Sequence, residues 1–333
     1  MKKAVSIVIF CFVSLTMMSN PYDNPDTLFV SRDGTCQFRN IDDAIEVCRA
    51  FTDYHKVIFV KKGTYKEKLI VPAWLTNIEI CGEDRDNTII TYDDHANIVM
   101  SPINSLQNTA GKKLTTFRTY TLKIEGNNIT LKNLTVENNA KRLGQAVALH
   151  TQGTRLCFIN CRFLGHQDTI YTGGIETNLF FKDCYIEGTT DFIFGPSTAW
   201  FENCTIRNRH NSYITAASTP KNVKYGYIFN HCKVIADDNI TKCFLGRPWR
   251  PYGYTLFMNC ELGAHILPVG WHNWGKETNE QTARYYEYNN TDASGKKVDT
   301  NKRAAWSKQL SKKEAMTITP ENVFGKDLSW IME

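Results

Sequence analysis

Between residues 133 and 262 one short pattern of polar and apolar positions keeps returning. It reads NCRF at 160–163, DCYI at 183–186, NCTI at 203–206, HCKV at 231–234 and NCEL at 259–262. Each time a polar residue precedes the cysteine and an apolar residue follows two places after it. The cysteines lie 23, 20, 28 and 28 residues apart, and NLTV at 133–136 continues the pattern upstream with Leu134 in the cysteine slot. Self-similarity at this period is the mark of a solenoid. Alternation of polar and apolar positions, rich in Ile, Val, Phe and Thr, predicts strands rather than helices. Coils of short strands and turns that bury a shared core by stacking make an all-β parallel β-helix, a single-stranded solenoid.

Cysteine has a structural reading in this pattern. It is small and easily buried, and it can stack on its equivalent in the next coil. Helical signals are sparse. IDDAIEVCRAF (41–51) carries apolar residues at helical spacing and predicts a capping helix near the N-terminal end, and SKKEAM (311–316) predicts a short helix near the other. No linker, low-complexity tract or charge block divides the chain, so one domain over residues 20–333 is expected. Five N-x-S/T sequons occur, at Asn128, Asn133, Asn203, Asn239 and Asn289; two fall inside the repeat, and the set is read as chance.

Composition narrows this picture only a little. With 333 residues, 42% hydrophobic and 22% charged, the chain can bury a large core. Residues 1–19 have Lys2 and Lys3, then the apolar run AVSIVIFCFV, then small and polar residues, which is the layout of a secretory signal peptide. The run is short for a membrane span. An exported protein, in a periplasm, on a cell surface or in the medium, is expected. The net charge of +5 falls to +3 without Lys2 and Lys3. That mild positive balance suits an acidic polymer but is no signature of nucleic-acid binding.

The repeat also carries candidate chemistry. Asp168 lies seven residues after Cys161, and Asp191 lies seven after Cys184, so the two occupy equivalent places on adjacent coils. Parallel strands pack about 4.8 Å apart, which puts the carboxylates roughly 5–6 Å apart if both point outward. A further 23 residues back is Gln145, so Gln145, Asp168 and Asp191 form an expected column, with Gln167 beside it. Two such aspartates cannot both ionise cheaply, which suits one to donate a proton and the other to attack or accept. Carboxamides nearby could hold a developing oxyanion. An Asp/Asn ladder on a solvated face is the bland alternative, and a retaining glycosidase would use the same separation. Spacing does not choose between an ester and a glycosidic bond.

Other catalytic signatures are missing. GPSTA (195–199) lacks the last glycine of a G-x-S-x-G elbow, and the eight histidines include no H-x-H or H-x-x-H pair. His166 reads as a rim or turn residue. No metal site and no cofactor is expected.

QAVAL (145–149), GHQDTIY (165–171), GTTDFIFG (188–195) and LGRPW (245–249) resemble, in order and spacing, the four signature blocks of the pectin methylesterase (pectinesterase) family. GTYKEKL (63–69), GWHNW (270–274), YYEY (285–288) and RAAW (303–306) resemble further family blocks, so the likeness runs from about Asn24 to the end. The resemblance implies a right-handed parallel β-helix. It also implies an enzyme that removes methyl esters from the galacturonate of pectin, giving methanol and pectate. Asp191 would then be the nucleophile and Asp168 the proton donor to methanol and later the base for water. Gln145 would stabilise the oxyanion with help from Gln167, and Arg247 would hold Asp191 ionised and oriented. Tyr171, Phe194 and Trp249 would line the sugar cleft.

Departures from the family pattern are modest. Thr190 stands where Val is common, Thr154 where Asp often follows Gly, and Cys36 where Gly is usual. Trp271 and Trp274 are left open between substrate rim and packing. The expected partner is homogalacturonan, met by a monomer. Rival readings are a polygalacturonase or lyase on the same fold, and a β-helix that only binds polysaccharide. The lyase would need an acidic calcium cluster and the polygalacturonase G-H-G and R-I-K signatures, none of which is present.

Overall fold

A computed structural model describes residues 27–100 and 111–331. The proposed leader, residues 1–19, lies outside them. The chain winds through three parallel sheets, here A, B and C, of eleven, eight and seven strands. One coil shows the plan: Leu156–Ile159 in sheet A, Arg162–Leu164 in sheet B, Ile170–Thr172 in sheet C, then Asn178–Lys182 back in sheet A. Each strand pairs in parallel with its equivalents above and below. This is the solenoid that the repeat predicts.

The polar residue before each cysteine has a backbone explanation. From Asn133 onward the chain leaves sheet A for sheet B through a two-residue corner whose first residue takes a left-handed conformation. Asn133, Asn160, Asp183, Asn203, His231, Asn259 and Asn289 all have φ between 48° and 55°. Asn and Asp tolerate that region better than other L-residues because their short side chains bond locally. Those side chains also bond from coil to coil: Asn160 Nδ2 donates to Asn133 Oδ1 (2.9 Å), and Asn289 Nδ2 to Asn259 Oδ1 (3.0 Å). Asn133, Asn203 and Asn289 of the sequons are therefore corner residues.

Every cysteine among the described residues carries a free thiol, and those of the repeat are buried. Stacking is only part of their role. Cys184, Cys204, Cys232 and Cys260 each donate Sγ–H to the carbonyl of Phe158, Phe181, Phe201 and Phe229 on the coil before, at 3.3–3.6 Å. These phenylalanines stand three places ahead of the preceding cysteine, a second periodic position that the sequence reading passes over. With Phe257 they form one continuous stack inside sheet A, with centroids 4.3–4.6 Å apart and planes within 17°. The repeat is better written F-x-x-C.

Both ends of the core are closed. At the N-terminal end a helix, Ile41–Glu46, buries Ile41, Ala44 and Ile45. It is shorter than the 41–51 span expected: beyond Val47 the chain turns, and Phe51 sits exposed with φ of 56°. Its first amides are capped by Glu67, whose carboxylate accepts from Ile41 and Asp42 N–H at 3.0 Å. The GTYKEKL block thus holds this cap. At the other end Glu287 follows Phe257 in register, and Arg303 binds it through Nε (2.8 Å) and Nη2 (3.1 Å). Trp271 Nε1 donates to the same carboxylate at 3.2 Å. The GWHNW, YYEY and RAAW blocks meet at this buried ion pair.

Parallel sheets are normally buried on both faces. Sheet A obeys through the C-terminal segment, whose Leu310, Ile318, Val323, Phe324 and Trp330 pack over Phe180, Trp200, Ile228 and Met258. That segment includes the second predicted helix, Lys312–Ala315, opened by a Ser311–Glu314 capping box. Sheet C keeps its outer face for something else.

Removing one ring from the middle of the phenylalanine stack should leave a void that the coils cannot close. Phe201→Ala should lose about 3–5 kcal/mol of stability, read from urea unfolding. Phe201→Leu, which refills most of the space, should lose far less.

Candidate active site

The site lies at the edge of sheet C where the chain enters from sheet B. Ile170 pairs with Ile193, so Asp168 and Asp191, each two residues ahead, are neighbours one strand apart. Both take left-handed conformations, with φ of 67° and 49°. Such strain persists only where the surroundings fix it. Here the Asp168 N–H donates to Thr190 O (3.1 Å) and the Asp191 N–H to Tyr213 O (2.8 Å), which pin both turns to the next coil. The spacing argument for this pair holds.

For Gln145 the register is different. Leu149 pairs with Ile170, so that coil is two residues shorter and Val147, not Gln145, stands opposite Asp168. Gln145 comes just before the strand, half-buried, with its carbonyl accepting from Ala96 N–H at 2.8 Å. The neighbouring amide of Ala146 donates to Gln167 O at 3.1 Å, so the two glutamines still belong to adjacent, bonded segments.

Asp168 is 8% exposed and Asp191 is 5%. Arg247, from the loop after Phe244–Gly246, meets Asp191 with both prongs of its fork: Nε to Oδ1 at 3.0 Å and Nη2 to Oδ2 at 2.6 Å. Burial raises the Asp191 carboxyl above its ordinary value, while the hydrogen bonds and charge of Arg247 pull it back. Asp168 has no such fork. Burial, and then the charge of Asp191, hold it well above the ordinary carboxylate range, with only a weaker pull from Arg247. The two aspartates are therefore driven apart: Asp168 keeps a proton that Asp191 gives up more readily.

Tyr171, Phe194 and Trp249 come together beside the pair. Ring centroids are 4.9 Å apart for Tyr171 and Phe194 and 5.9 Å for Phe194 and Trp249. Tyr171 and Trp249 are half-buried at the surface, whereas Phe194 is nearly covered and forms the floor. Phe117 extends the group, 4.8 Å from Tyr171 and 43% exposed. Behind Tyr171 sits His150, whose burial lowers its pKa to about 3 and leaves it neutral.

Sequence reasoning missed one part of the site. The Arg247 guanidinium carbon lies 3.8 Å from the Tyr213 ring centroid and 3.7 Å from that of Trp274. The signal was present: Tyr213 is the next step of the Asp168–Asp191 column, since Ile193 pairs with Thr215. Trp271 and Trp274, left open above, separate into a core residue and a neighbour of Arg247. Ser197, the serine of GPSTA, is buried and donates to carbonyls of Thr172 and Gly173, a structural role. Thr190 Oγ1 donates to Ser212 Oγ (2.9 Å), tying the turn that carries Asp191 to the next coil. Among the described residues no group of three or more His, Cys, Asp or Glu side chains is placed to hold a metal ion.

Comparison with known proteins points one way. The pectinesterase family profile matches residues 27–327. Pectinesterase 31 of Arabidopsis thaliana is 35% identical over 86% of this chain and 88% of its own. Several longer plant relatives are matched over only about half of their length, 51–53%. The fold, a right-handed parallel β-helix, is shared with pectin methylesterase from carrot, at a TM-score of 0.79 and 28% identity over 90% of this chain and 93% of that one. A pectin methylesterase solved in complex with a hexasaccharide superposes at a TM-score of 0.76, with 28% identity over 92% of this chain and 98% of that one.

The raised Asp168 carboxyl has a consequence for stability. Its folded pKa lies above its unfolded one, so the folded state is penalised as pH rises from the ordinary carboxylate range towards the folded value. Asp168→Asn removes that penalty and keeps a residue at ease with positive φ. The variant should melt above the parent protein at pH 7, and the gain should vanish near pH 3, followed by circular dichroism.

Proposed function

The chain belongs to the pectinesterase family of carboxylic ester hydrolases, and we propose that it strips methyl esters from galacturonate in pectin, releasing methanol and pectate. The observation that carries this reading is the Arg247 fork on Asp191 with a second, differently tuned aspartate one strand away.

Asp191, ionised, attacks the C6 carbonyl of the methylated sugar. The carbonyl π electrons move to oxygen, and the amides of Gln145 and Gln167 donate to the oxyanion. As the tetrahedral intermediate collapses, the C–O bond to methanol breaks and Asp168 gives the departing oxygen its proton. That leaves an anhydride between Asp191 and the sugar carboxyl. Asp168, now a carboxylate, takes a proton from water, whose oxygen attacks the anhydride. Collapse expels Asp191 as its carboxylate and frees the sugar carboxylic acid, which loses its proton to solvent, while Asp168 is left protonated as at the start. Raised proton affinity at Asp168 suits the first half-reaction and a base suits the second. Arg247 offsets the cost of burying the Asp191 charge, which would otherwise stay protonated and inert.

Tyr171, Phe194 and Trp249 are read as the sugar contacts, because aromatic faces pack on the apolar faces of pyranose rings. No cofactor enters this chemistry. Pectin is an external polymer, so residues 1–19 are read as an export leader and residues 20–333 as one catalytic domain that works as a monomer. No helix among the described residues is long and apolar enough to cross a membrane.

Three measurements test this. Incubation with methylated pectin should release methanol without shortening the chains; shortened chains or unsaturated ends would instead point to a polygalacturonase or a lyase. Asp191→Ala should lose more than about 10³-fold in kcat with its circular dichroism intact; retained turnover would sink the nucleophile assignment. Arg247→Lys keeps the charge but not the fork, and its kcat/KM should fall about 10- to 100-fold.

A further inference from the structure

Arg247 is usefully placed only while its fork stays on Asp191. An arginine side chain has many rotamers, and this one comes from a loop, so something must limit it. Two ring centroids within 4 Å of one guanidinium carbon cannot share a face without overlapping. Tyr213 and Trp274, at 3.8 and 3.7 Å, therefore take one face each. A planar cation between two π-faces is attracted to both and loses its freedom to swing out.

Tyr213 is itself fixed. Phe244 stacks on it at 5.1 Å with an interplanar angle of 23°, and His272 lies 5.2 Å from it. Its carbonyl accepts the Asp191 N–H at 2.8 Å. One residue thus holds the backbone of Asp191 and, through its ring, the side-chain partner of Asp191. With Arg247 and Phe244 against the ring, no free face is left for a sugar to stack on.

Building on the proposed ester hydrolysis, we infer that Tyr213 is a positioning residue: its ring clamps Arg247 against Trp274 and so keeps the guanidinium fork on the nucleophile. The phenol hydroxyl has no part in this.

The experiment is a double-mutant cycle on methylated pectin. Tyr213→Leu should lower kcat about 5- to 30-fold, the factor that one cation–π contact is worth, with KM within about twofold of the parent. Tyr213→Phe keeps the ring and should restore kcat. In an Arg247→Lys background, where no planar cation remains to clamp, Tyr213→Leu should cost less than about twofold more. Equal losses in both backgrounds would overturn the proposal. So would a raised KM with kcat kept, which would mark a substrate contact, or a Phe variant as poor as the Leu one. If Tyr213→Leu loses the native circular dichroism, Tyr213→Met is read in its place by the same criteria. Failure of the parent protein to release methanol would defeat the ester reading itself, whereas methanol release with an additive cycle would defeat only the role of Tyr213.

Discussion

Each coil has to return to the same place one strand spacing further on, and nearly everything else in the molecule follows from that constraint. Parallel strands about 4.8 Å apart leave room for one flat side chain per layer. The Phe158–Phe257 stack fills that room with rings 4.3–4.6 Å apart. The thiols beside it bond to the coil before instead of sitting as inert filler. From Asn133 onward the two-residue corner places a left-handed residue first, and Asn or Asp tolerates that conformation better than most residues that carry a side chain. The same rigidity brings two carboxylates to one strand spacing and keeps them there.

Placing two acids side by side in a nearly dry edge works against folding, because neither can ionise without losing hydration. The protein resolves this unequally. Asp191 receives a bidentate guanidinium; Asp168 receives only its neighbour's negative charge and burial. A symmetric solution, with an arginine for each, would lower both carboxyls and leave no proton donor. Asymmetry in the partners is what makes one of two like residues hold its proton and the other give it up more readily.

Much of this was legible in the sequence because the repeat is a ruler. Cys161 and Cys184 located Asp168 and Asp191 with one count of seven, and the strand register agrees. The same count misplaced Gln145, because that coil is two residues shorter, and a fixed interval cannot reveal a change in coil length. Phe at the third place before each cysteine was visible but hidden behind the more conspicuous thiol. Tyr213 was one further step along the column. It escaped notice because a tyrosine there looks like ordinary strand composition. Its stacking on Arg247 depends on how the two rims meet in space. The helix at 41–51 was overextended, since Phe51 fits the apolar period but stands outside the fold.

The location of the site also has a cause. From Asn133 onward the corner between sheets A and B stays at two residues, where the phenylalanine and asparagine ladders run, so in those coils length varies at the other two corners. Among the described residues those corners hold 93–100, 111–121, 139–148 and 237–243 on one side of sheet C, and 218–226 and 247–253 on the other. Both sides are rims of the same face. Sheet A is sealed by the C-terminal segment, and sheet C is left with an aromatic floor between two walls of variable length. Arg247, Trp249 and Tyr171 come from those walls or the floor between them, while the aspartates sit at the start of rigid strands. A solenoid of this construction can therefore reshape the cleft beside sheet C by changing loops, without disturbing the spacing of Asp168 and Asp191.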